Sequence, residues 1–364
     1  MTEARPRITE VSARAVTIPT DAPESDGTFA WTATTIVLAK VQGGGSEGLG
    51  YSYAAGAAQA VVNDSLAAIL KGREVFDVGG IWEAMRWQVR NLGSRGVCAC
   101  AISAVDAALW DLKAKILGLP LCELLGRRRE TVPVYGSGGF ISYDDKRLRE
   151  QLSGWADEGC RWVKMKVGRD PDRDLERVKA ARQAIGETGL FVDANGAWQP
   201  KEALYWAERY ASFGVAWLEE PTSSDDLEGL RLVREQGPAG MDVAAGEYGF
   251  ESFYFRRMLE EGAVDVLQAD ATRCLGLTGF LQAANLAAAW NRPVSSHCAP
   301  AVHLHAACAA PNLRHMEWFH DHVRIEQMIF DGAPELKHGA IAPDLSRPGL
   351  GLELKTQDLQ RYAA

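Results

Sequence analysis

The spacing of hydrophobic and polar positions changes near residue 132, and this change predicts two structural regions. The first region begins with strand-like alternation, and a Gly43–Gly45 turn joins its last two strands into a hairpin. Apolar residues then recur at helical spacing. We expect an α+β domain over residues 1–130. Its predicted strands are residues 8–18, 35–41 and 48–53, and its predicted helices are residues 57–71, 79–91 and 98–117.

From Val132 onward, strand-like and helix-like segments alternate at the spacing of βα units. Eight such strands predict a closed parallel barrel over residues 131–325. A polar, turn-rich C-terminal segment follows over residues 326–364, and we expect it to return to the first domain. The predicted barrel strands are residues 132–137, 162–167, 190–194, 215–219, 242–246, 264–269, 293–297 and 315–319.

Three carboxylates recur at the ends of successive predicted barrel strands. Asp193, Glu219 and Glu247 are 26 and 28 residues apart, so each would lie at the same end of its own strand. Hard oxygen donors without a Cys or His cluster favour Mg²⁺ over zinc. Each acid alone could equally be a solvated loop residue, but three in register predict a metal site.

The second predicted barrel strand carries two lysines on one face. Lys164 and Lys166 are two residues apart, so both side chains would point to the barrel mouth. Two neighbouring ammonium groups disfavour each other, and burial adds to this effect, so one lysine is expected to be neutral and to act as a base. The alternative is a pair of surface lysines with extended side chains.

A histidine and a carboxylate end two neighbouring predicted strands. Asp270 could accept a hydrogen bond from one ring nitrogen of His297, which would fix the tautomer and raise the basicity of the other nitrogen. A structural histidine is the alternative, although the strand end favours catalysis. Glu317 ends the last predicted strand and has no evident surface role.

The composition indicates the class of protein and its partners. The chain has 364 residues, 47% hydrophobic and 24% charged, and a formal net charge of −9, which argues against nucleic-acid binding. No signal core or membrane-spanning apolar segment is evident, so we expect a cytoplasmic protein that does not bind membranes. We also expect a homo-oligomer. Most of the seven cysteines should be core residues; Cys298 either packs there or lines the site beside His297.

The order of these motifs along the chain resembles the enolase superfamily, specifically its mandelate racemase subgroup. The motifs are Lys-x-Lys, Asp-x-Asn, Glu-Glu-Pro, Gly-Glu, Asp, His and Glu, together with residues 105–113 of the first domain. The resemblance implies an α+β capping domain on a modified (β/α)₇β TIM barrel. It implies that Asp193, Glu219 and Glu247 bind Mg²⁺.

The resemblance also implies roles for the remaining candidate residues. Lys166 and the His297–Asp270 pair would flank the substrate as acid/base groups. Lys164 would contact the substrate carboxylate and lower the pKa of Lys166, while Glu317 would hydrogen-bond that carboxylate. Asn195, from the Asp-x-Asn motif, is a further candidate substrate-binding residue.

The chemistry that the resemblance implies is abstraction of a proton α to a carboxylate, through an enediolate. Asp270 stands where muconate-lactonising and dipeptide-epimerising relatives have a lysine, and enolase itself lacks the His–Asp pair. Dehydration of a sugar acid is the leading prediction, racemisation or epimerisation of a 2-hydroxy acid is the alternative, and carboxylate binding without turnover is a remote third.

Substrate specificity is predicted to come from the first domain. The segment Thr20–Trp31 offers acidic groups for substrate hydroxyls, and Trp31 is a candidate lid residue. A simple solvated connection between two strands is the alternative interpretation.

Overall fold

The N-terminal strands form a three-stranded antiparallel sheet in the order β1-β2-β3. The computed structural model describes residues 5–355. The hairpin between the last two strands turns at Gly44 and Gly45, whose φ angles of +58° and +77° suit glycine. The strands are β1 Ile8–Ser25, β2 Ala30–Gly43 and β3 Ser46–Tyr53.

The segment Thr20–Trp31 was expected to connect the predicted strands 8–18 and 35–41. It is for the most part strand itself, so those strand boundaries were wrong. The first two strands continue as a hairpin in which Glu24 pairs with Trp31, and only residues 26–29 form a turn. Pro19 and Pro23 lie in this part of the first strand. A register shift between Pro19 and Glu24 accommodates them in an edge strand, where a missing N–H is tolerated.

Helices pack on one face of this sheet. The longest, residues 97–117, is buried along most of its length. Its Asp111 accepts hydrogen bonds from the backbone N–H groups of Leu49 at 2.7 Å and Leu350 at 2.6 Å, so it joins the sheet to the C-terminal segment. The helical elements are α1 Ala57–Ala60, a π-helical segment Val61–Leu66, α2 Ala67–Leu70, α3 Val78–Gln88, α4 Val97–Leu117 and α5 Leu121–Leu124.

Eight parallel strands then close into a barrel, as predicted. The last strand pairs with the first, with Met316 opposite Val134, and seven helices connect the strands, which gives the (β/α)₇β order. The strands are β4 Val132–Gly138, β5 Trp162–Lys166, β6 Gly189–Asp193, β7 Val215–Glu219, β8 Asp242–Ala245, β9 Val266–Ala269, β10 Val294–Ser296 and β11 Leu313–Phe319. The helices are α6 Asp145–Asp157, α7 Pro171–Ile185, α8 Pro200–Ala211, α9 Leu227–Gln236, α10 Ser252–Glu260, α11 Gly276–Ala289 and α12 Pro300–Ala309.

The chain after the barrel runs back toward α4 and α5. Gly349 N–H donates to Leu119 O, and Leu121 N–H donates to Gly349 O. The part of the predicted C-terminal segment beyond residue 355 lies outside the described residues. Within residues 5–355, no helix is both long and apolar enough to cross a membrane. The remaining elements are α13 His320–Ile329, β12 Phe330–Asp331, β13 Ala340–Ile341 and β14 Glu353–Leu354.

Aromatic rings fill the barrel below its C-terminal mouth. Phe191 and Trp217 stack with centroids 5.0 Å apart, and the His315 ring lies beside both. Side chains two residues apart share a face of a strand, so Asp193 and Glu219 lie on the same inward face directly above these rings. The rings therefore form an apolar floor that keeps water away from the charged groups above.

Close packing of α4 on β3 requires glycine in the strand. A Cβ added at Gly50 would lie 2.2 Å from Ala104 O. We expect Gly50→Ala to lower the free energy of unfolding by about 1–3 kcal/mol, as overpacking does. Gly154 lies in α6 with no atom within 4 Å of an added Cβ, so the control Gly154→Ala should stabilise by about 0.4–1 kcal/mol. Urea unfolding measures both, and equal effects would contradict the packing argument.

Candidate active site

Three carboxylates meet at the C-terminal end of the barrel strands. Asp193 and Glu219 are paired residues on β6 and β7, and Glu247 follows β8. All three are buried, and their ligand atoms lie within 4.8 Å of one another. Gly246 precedes the third acid and has a φ angle of +132°. Glycine is required there because an added Cβ would lie 2.2 Å from Gln268 O on the next strand.

The donor set fits a hard divalent cation. The carboxylates lie close together in a place that water does not reach. Burial and repulsion by the charge of Asp193 therefore raise the pKa of Glu219 to about 8. Glu247 Oε2 is buried and has no hydrogen-bond partner. A cation bound by oxygen atoms of this kind would relieve both penalties, and all-oxygen coordination suits Mg²⁺.

Lys164 and Lys166 both reach these carboxylates from β5. Lys164 Nζ lies 2.5 Å from Glu219 Oε1, and Lys166 Nζ lies 2.5 Å from Asp193 Oδ2. The expected neutral lysine is not found in this arrangement. Burial and the charge of Lys164 lower the pKa of Lys166, but the Asp193 carboxylate outweighs them, so the pKa is raised above its usual value. The sequence predicted that the two lysines lie together, but it did not show which acid pairs with each lysine.

A histidine and a carboxylate form a pair on the opposite side of the cluster. His297 Nδ1 lies 2.8 Å from Asp270 Oδ2, and His297 Nε2 lies 3.3 Å from Glu247 Oε2. Burial lowers the pKa of His297, but Glu247 and the hydrogen bond to Asp270 outweigh it and raise the pKa. Burial would raise the pKa of Asp270, yet His297 and Arg273 hold it below its usual value.

Glu317 is held by three donors at the mouth. Ser137 Oγ donates to its Oε1 at 2.6 Å, Cys298 N donates to its Oε2 at 2.7 Å, and Lys164 Nζ lies 2.8 Å from Oε1. Burial disfavours the charge, but Lys164 and the other cations lower the pKa of Glu317 well below its usual value. Glu317 is thus a buried, ionised hydrogen-bond acceptor.

The other two predicted substrate-binding residues, Asn195 and Trp31, lie on different elements of the structure. Asn195 follows β6 at φ +48°, its N–H donates to Asp193 Oδ1 at 2.9 Å, and its buried Oδ1 has no partner. Trp31 lies on the β1–β2 hairpin, where its Nε1–H donates to Glu24 Oε2 at 2.8 Å and its ring meets Phe140 edge-on at 5.6 Å.

The tip of the β1–β2 hairpin rests on the barrel mouth. A Cβ added at Gly27 would lie 2.4 Å from Ala194 O and 2.7 Å from Val167 O. Those two carbonyls belong to the residues that follow Asp193 and Lys166. The hairpin therefore covers the site directly beside a predicted metal ligand and a predicted base.

Sequence reasoning missed three residues that support the site. Ser137 holds Glu317 from the end of β4, but a single serine carries little information in a sequence. Arg273 Nη1 lies 3.3 Å from Glu247 Oε1, and Arg273 Nε lies 3.6 Å from Asp270 Oδ2. Its position three residues after Asp270 in a strand-end loop was the available signal. Glu24 was part of the predicted lid segment but was not singled out.

Family models match two consecutive parts of the chain. Residues 8–126 match the model described as the mandelate racemase/muconate lactonizing enzyme N-terminal domain, and residues 147–359 match the enolase C-terminal domain-like model. A 3,6-anhydro-alpha-L-galactonate cycloisomerase of Streptomyces coelicolor is 36% identical over 88% of each chain. An L-talarate/galactarate dehydratase of Salmonella typhimurium is 33% identical over 90% of this chain and 82% of its own.

Solved structures agree with this relationship. A mandelate racemase/muconate lactonizing enzyme-like protein from Rubrobacter xylanophilus is 50% identical, with a TM-score of 0.97 over 98% of this chain and all of that one. The L-talarate dehydratase of Polaromonas, complexed with Mg and L-glucarate, is 32% identical, with a TM-score of 0.89 over 99% of this chain and 98% of that one. The resemblance inferred from the motifs and the predicted fold are both confirmed.

The carboxylate cluster generates a prediction about metal binding. Glu219→Gln should weaken Mg²⁺ binding by about 100-fold or more, since even groups outside the ligand shell contribute ~10–100-fold. Calorimetric titration with Mg²⁺ measures this effect, and circular dichroism checks the fold. Asp242 lies at the opposite end of β8, so the control Asp242→Asn should bind Mg²⁺ like the wild type. Unchanged affinity in Glu219→Gln would remove Glu219 from the metal site.

Glu24 generates a prediction about the pH dependence of stability. Burial and the nearby Asp321 raise its pKa from 4.5 to about 8. The folded state thus retains a proton that the unfolded state loses, and stability falls as pH rises through this window. Above about pH 8, Glu24→Gln should be more stable than the wild type by about 1–3 kcal/mol. Below pH 4.5 the difference should be small.

Unfolding by denaturant at several pH values measures this difference. Glu10 is exposed on the same strand, so Glu10→Gln serves as the control and should show no such pH-dependent gain. A constant offset for Glu24→Gln across the whole pH range would show that the pKa of Glu24 does not change on folding.

Proposed function

This chain belongs to the mandelate racemase/muconate lactonizing enzyme family of the enolase superfamily, and we propose that it dehydrates a sugar acid with Mg²⁺ to form a 2-keto-3-deoxy acid. One observation carries the proposal. Lys166 and His297 lie at opposite ends of the carboxylate cluster, the first against Asp193 and the second against Glu247. A substrate between them would have one proton-transfer group on each face of its α-carbon.

The residues proposed for the metal are Asp193, Glu219 and Glu247. A bound Mg²⁺ would supply positive charge beside the substrate carboxylate, which becomes more negative as the α-proton leaves. Lys164 supports the same carboxylate with a fixed positive charge, and Glu317 accepts a hydrogen bond from a substrate hydroxyl or from a protonated carboxyl oxygen.

Dehydration needs one base and one acid. The base, Lys166 or His297 in its deprotonated form, takes the α-proton, and the bonding electrons move into the carboxylate system. The second group then gives a proton to the β-hydroxyl, so the C–O bond breaks and water leaves. The resulting enol takes up a proton on the former β-carbon and releases its hydroxyl proton to solvent, which gives the 2-keto-3-deoxy acid. Asp270 keeps the His297 ring oriented with its Nε2 toward the cluster through the 2.8 Å contact to Nδ1.

A second candidate is cycloisomerisation of a sugar-acid derivative. The relative with 36% identity is named a cycloisomerase, and one group that removes a proton with another that returns one is compatible with such an isomerisation. Racemisation or epimerisation of a 2-hydroxy acid uses them too, with a proton removed from one face and returned to the other. Galactarate and L-glucarate, named for two relatives, support a sugar acid as the substrate class.

We also propose that the hairpin helps to select the substrate, with Trp31 as part of the cover and Asn195 Oδ1 as an acceptor for a substrate hydroxyl. The buried, unpartnered oxygen of Asn195 supports this role. A cytoplasmic homo-oligomer remains part of the proposal, and light scattering of the purified protein tests the assembly.

A substrate screen tests the reaction class. Mg²⁺-loaded protein is offered mono- and diacid sugars, their anhydro derivatives and 2-hydroxy acids, and the products are separated by mass and by stereochemistry. We expect loss of water and a 2-keto-3-deoxy product from a sugar acid. Ring opening or closure of an anhydro or lactone substrate at unchanged mass would favour cycloisomerisation, and inversion without loss of water would favour racemisation.

The two-base assignment has its own test. Lys166→Ala and His297→Asn should each lower turnover by at least about 100-fold. In D₂O, the variant that retains the abstracting base should still exchange the α-proton of the substrate without releasing water, and the other variant should not. Near-wild-type turnover in both variants would place the chemistry elsewhere.

A further inference from the structure

Cys298 lies within a second group of metal-binding side chains beside the magnesium cluster. Its Sγ is 3.2 Å from His297 Nε2, and that nitrogen is 3.9 Å from Glu317 Oε2. These three ligand atoms all lie within 4.8 Å of one another, and all three residues are buried. Among the described residues, this is the candidate metal-binding group that includes a cysteine.

The three donors differ in kind from the neighbouring oxygen cluster. A thiolate, an imidazole and a carboxylate suit Zn²⁺ and similar soft ions, which accept three protein ligands and an open fourth position. Mg²⁺ prefers oxygen donors and leaves sulfur uncoordinated. Glu317 Oε2 accepts one hydrogen bond from the Cys298 N–H and retains a second lone pair.

We infer that His297, Cys298 and Glu317 form an inhibitory site for a thiophilic divalent cation such as Zn²⁺ or Cd²⁺. The ion would replace the thiol proton and any proton on His297 Nε2, both of which pass to solvent, and would bind that Nε2 atom, which faces the carboxylate cluster. With that lone pair occupied, His297 cannot transfer a proton. The inhibitory effect rests on the proposed function, whereas the binding of the ion does not.

The other cysteines provide a matched control. Cys274 is as buried as Cys298, and its Sγ contacts Gly276 O at 3.9 Å. Cys274→Ser therefore changes a buried thiol without changing the proposed site. Cys298→Ser keeps the backbone N–H that donates to Glu317 and removes the sulfur.

Titration of Cd²⁺ into Mg²⁺-saturated protein tests the proposal. We expect a thiolate-to-cadmium absorption band in the wild type and in Cys274→Ser, and its loss in Cys298→Ser and Cys298→Ala. His297→Asn keeps the thiol and should weaken Cd²⁺ binding by about 100-fold or more. Near-ultraviolet circular dichroism verifies that each variant is folded.

Two results would overturn the site. One is the absence of the band from the Mg²⁺-saturated wild type, and the other is equal Cd²⁺ affinity in Cys298→Ser. With an active substrate in hand, Cd²⁺ should inhibit the wild type at a concentration at least about 100-fold lower than it inhibits Cys298→Ser, each relative to its own uninhibited rate. Cadmium binding without dehydratase activity would support the site and reject the proposed function. Equal inhibition of both proteins would reject the inhibitory role of the site and leave the proposed function unaffected.

Discussion

The structure depends on burying many negative charges at the mouth of one barrel. Carboxyl groups lie near the C-terminal ends of five of the eight barrel strands, namely β6, β7, β8, β9 and β11, and an aromatic floor lies beneath them. These buried groups are Asp193, Glu219, Glu220, Glu247, Asp270 and Glu317, and the cations that face them are Lys164, Lys166 and Arg273. Isolated buried carboxylates are too unfavourable to persist, so the site is held together by paired charges and by donors aimed at many of these oxygens, although Glu247 Oε2 has none.

The fold supplies this arrangement through the register of parallel strands. On β5, β6 and β7 an aromatic residue occupies one inward position and a charged residue the next, as with Phe191 and Asp193. The rings exclude water from below, and the β1–β2 hairpin covers the mouth from above through Gly27. Low solvent access strengthens each electrostatic contact. A small change in the charge of the substrate therefore has a large effect on its reactivity.

Much of the site could be predicted from the sequence because the strands of the barrel recur at regular spacing. Strand ends at regular spacing predicted Asp193, Glu219 and Glu247 as neighbours, and the structure brings them within reach of one ion. The extension of the hairpin was missed; it contains two prolines, which are disfavoured within most strands, but an edge strand with a bulge tolerates them. The protonation of Lys166 was mistaken because the decisive partner, Asp193, comes from another strand, and a sequence shows the neighbouring lysine but not that contact.

A crystal structure with Mn²⁺ in place of Mg²⁺ and a sugar-acid hydroxamate tests the central claim most directly, because anomalous scattering locates the ion itself. The account predicts one anomalous peak bound by Asp193, Glu219 and Glu247, with the ligand carbon that corresponds to the α-carbon lying between Lys166 Nζ and His297 Nε2. A peak away from these carboxylates, or both bases on the same face of that carbon, would contradict it.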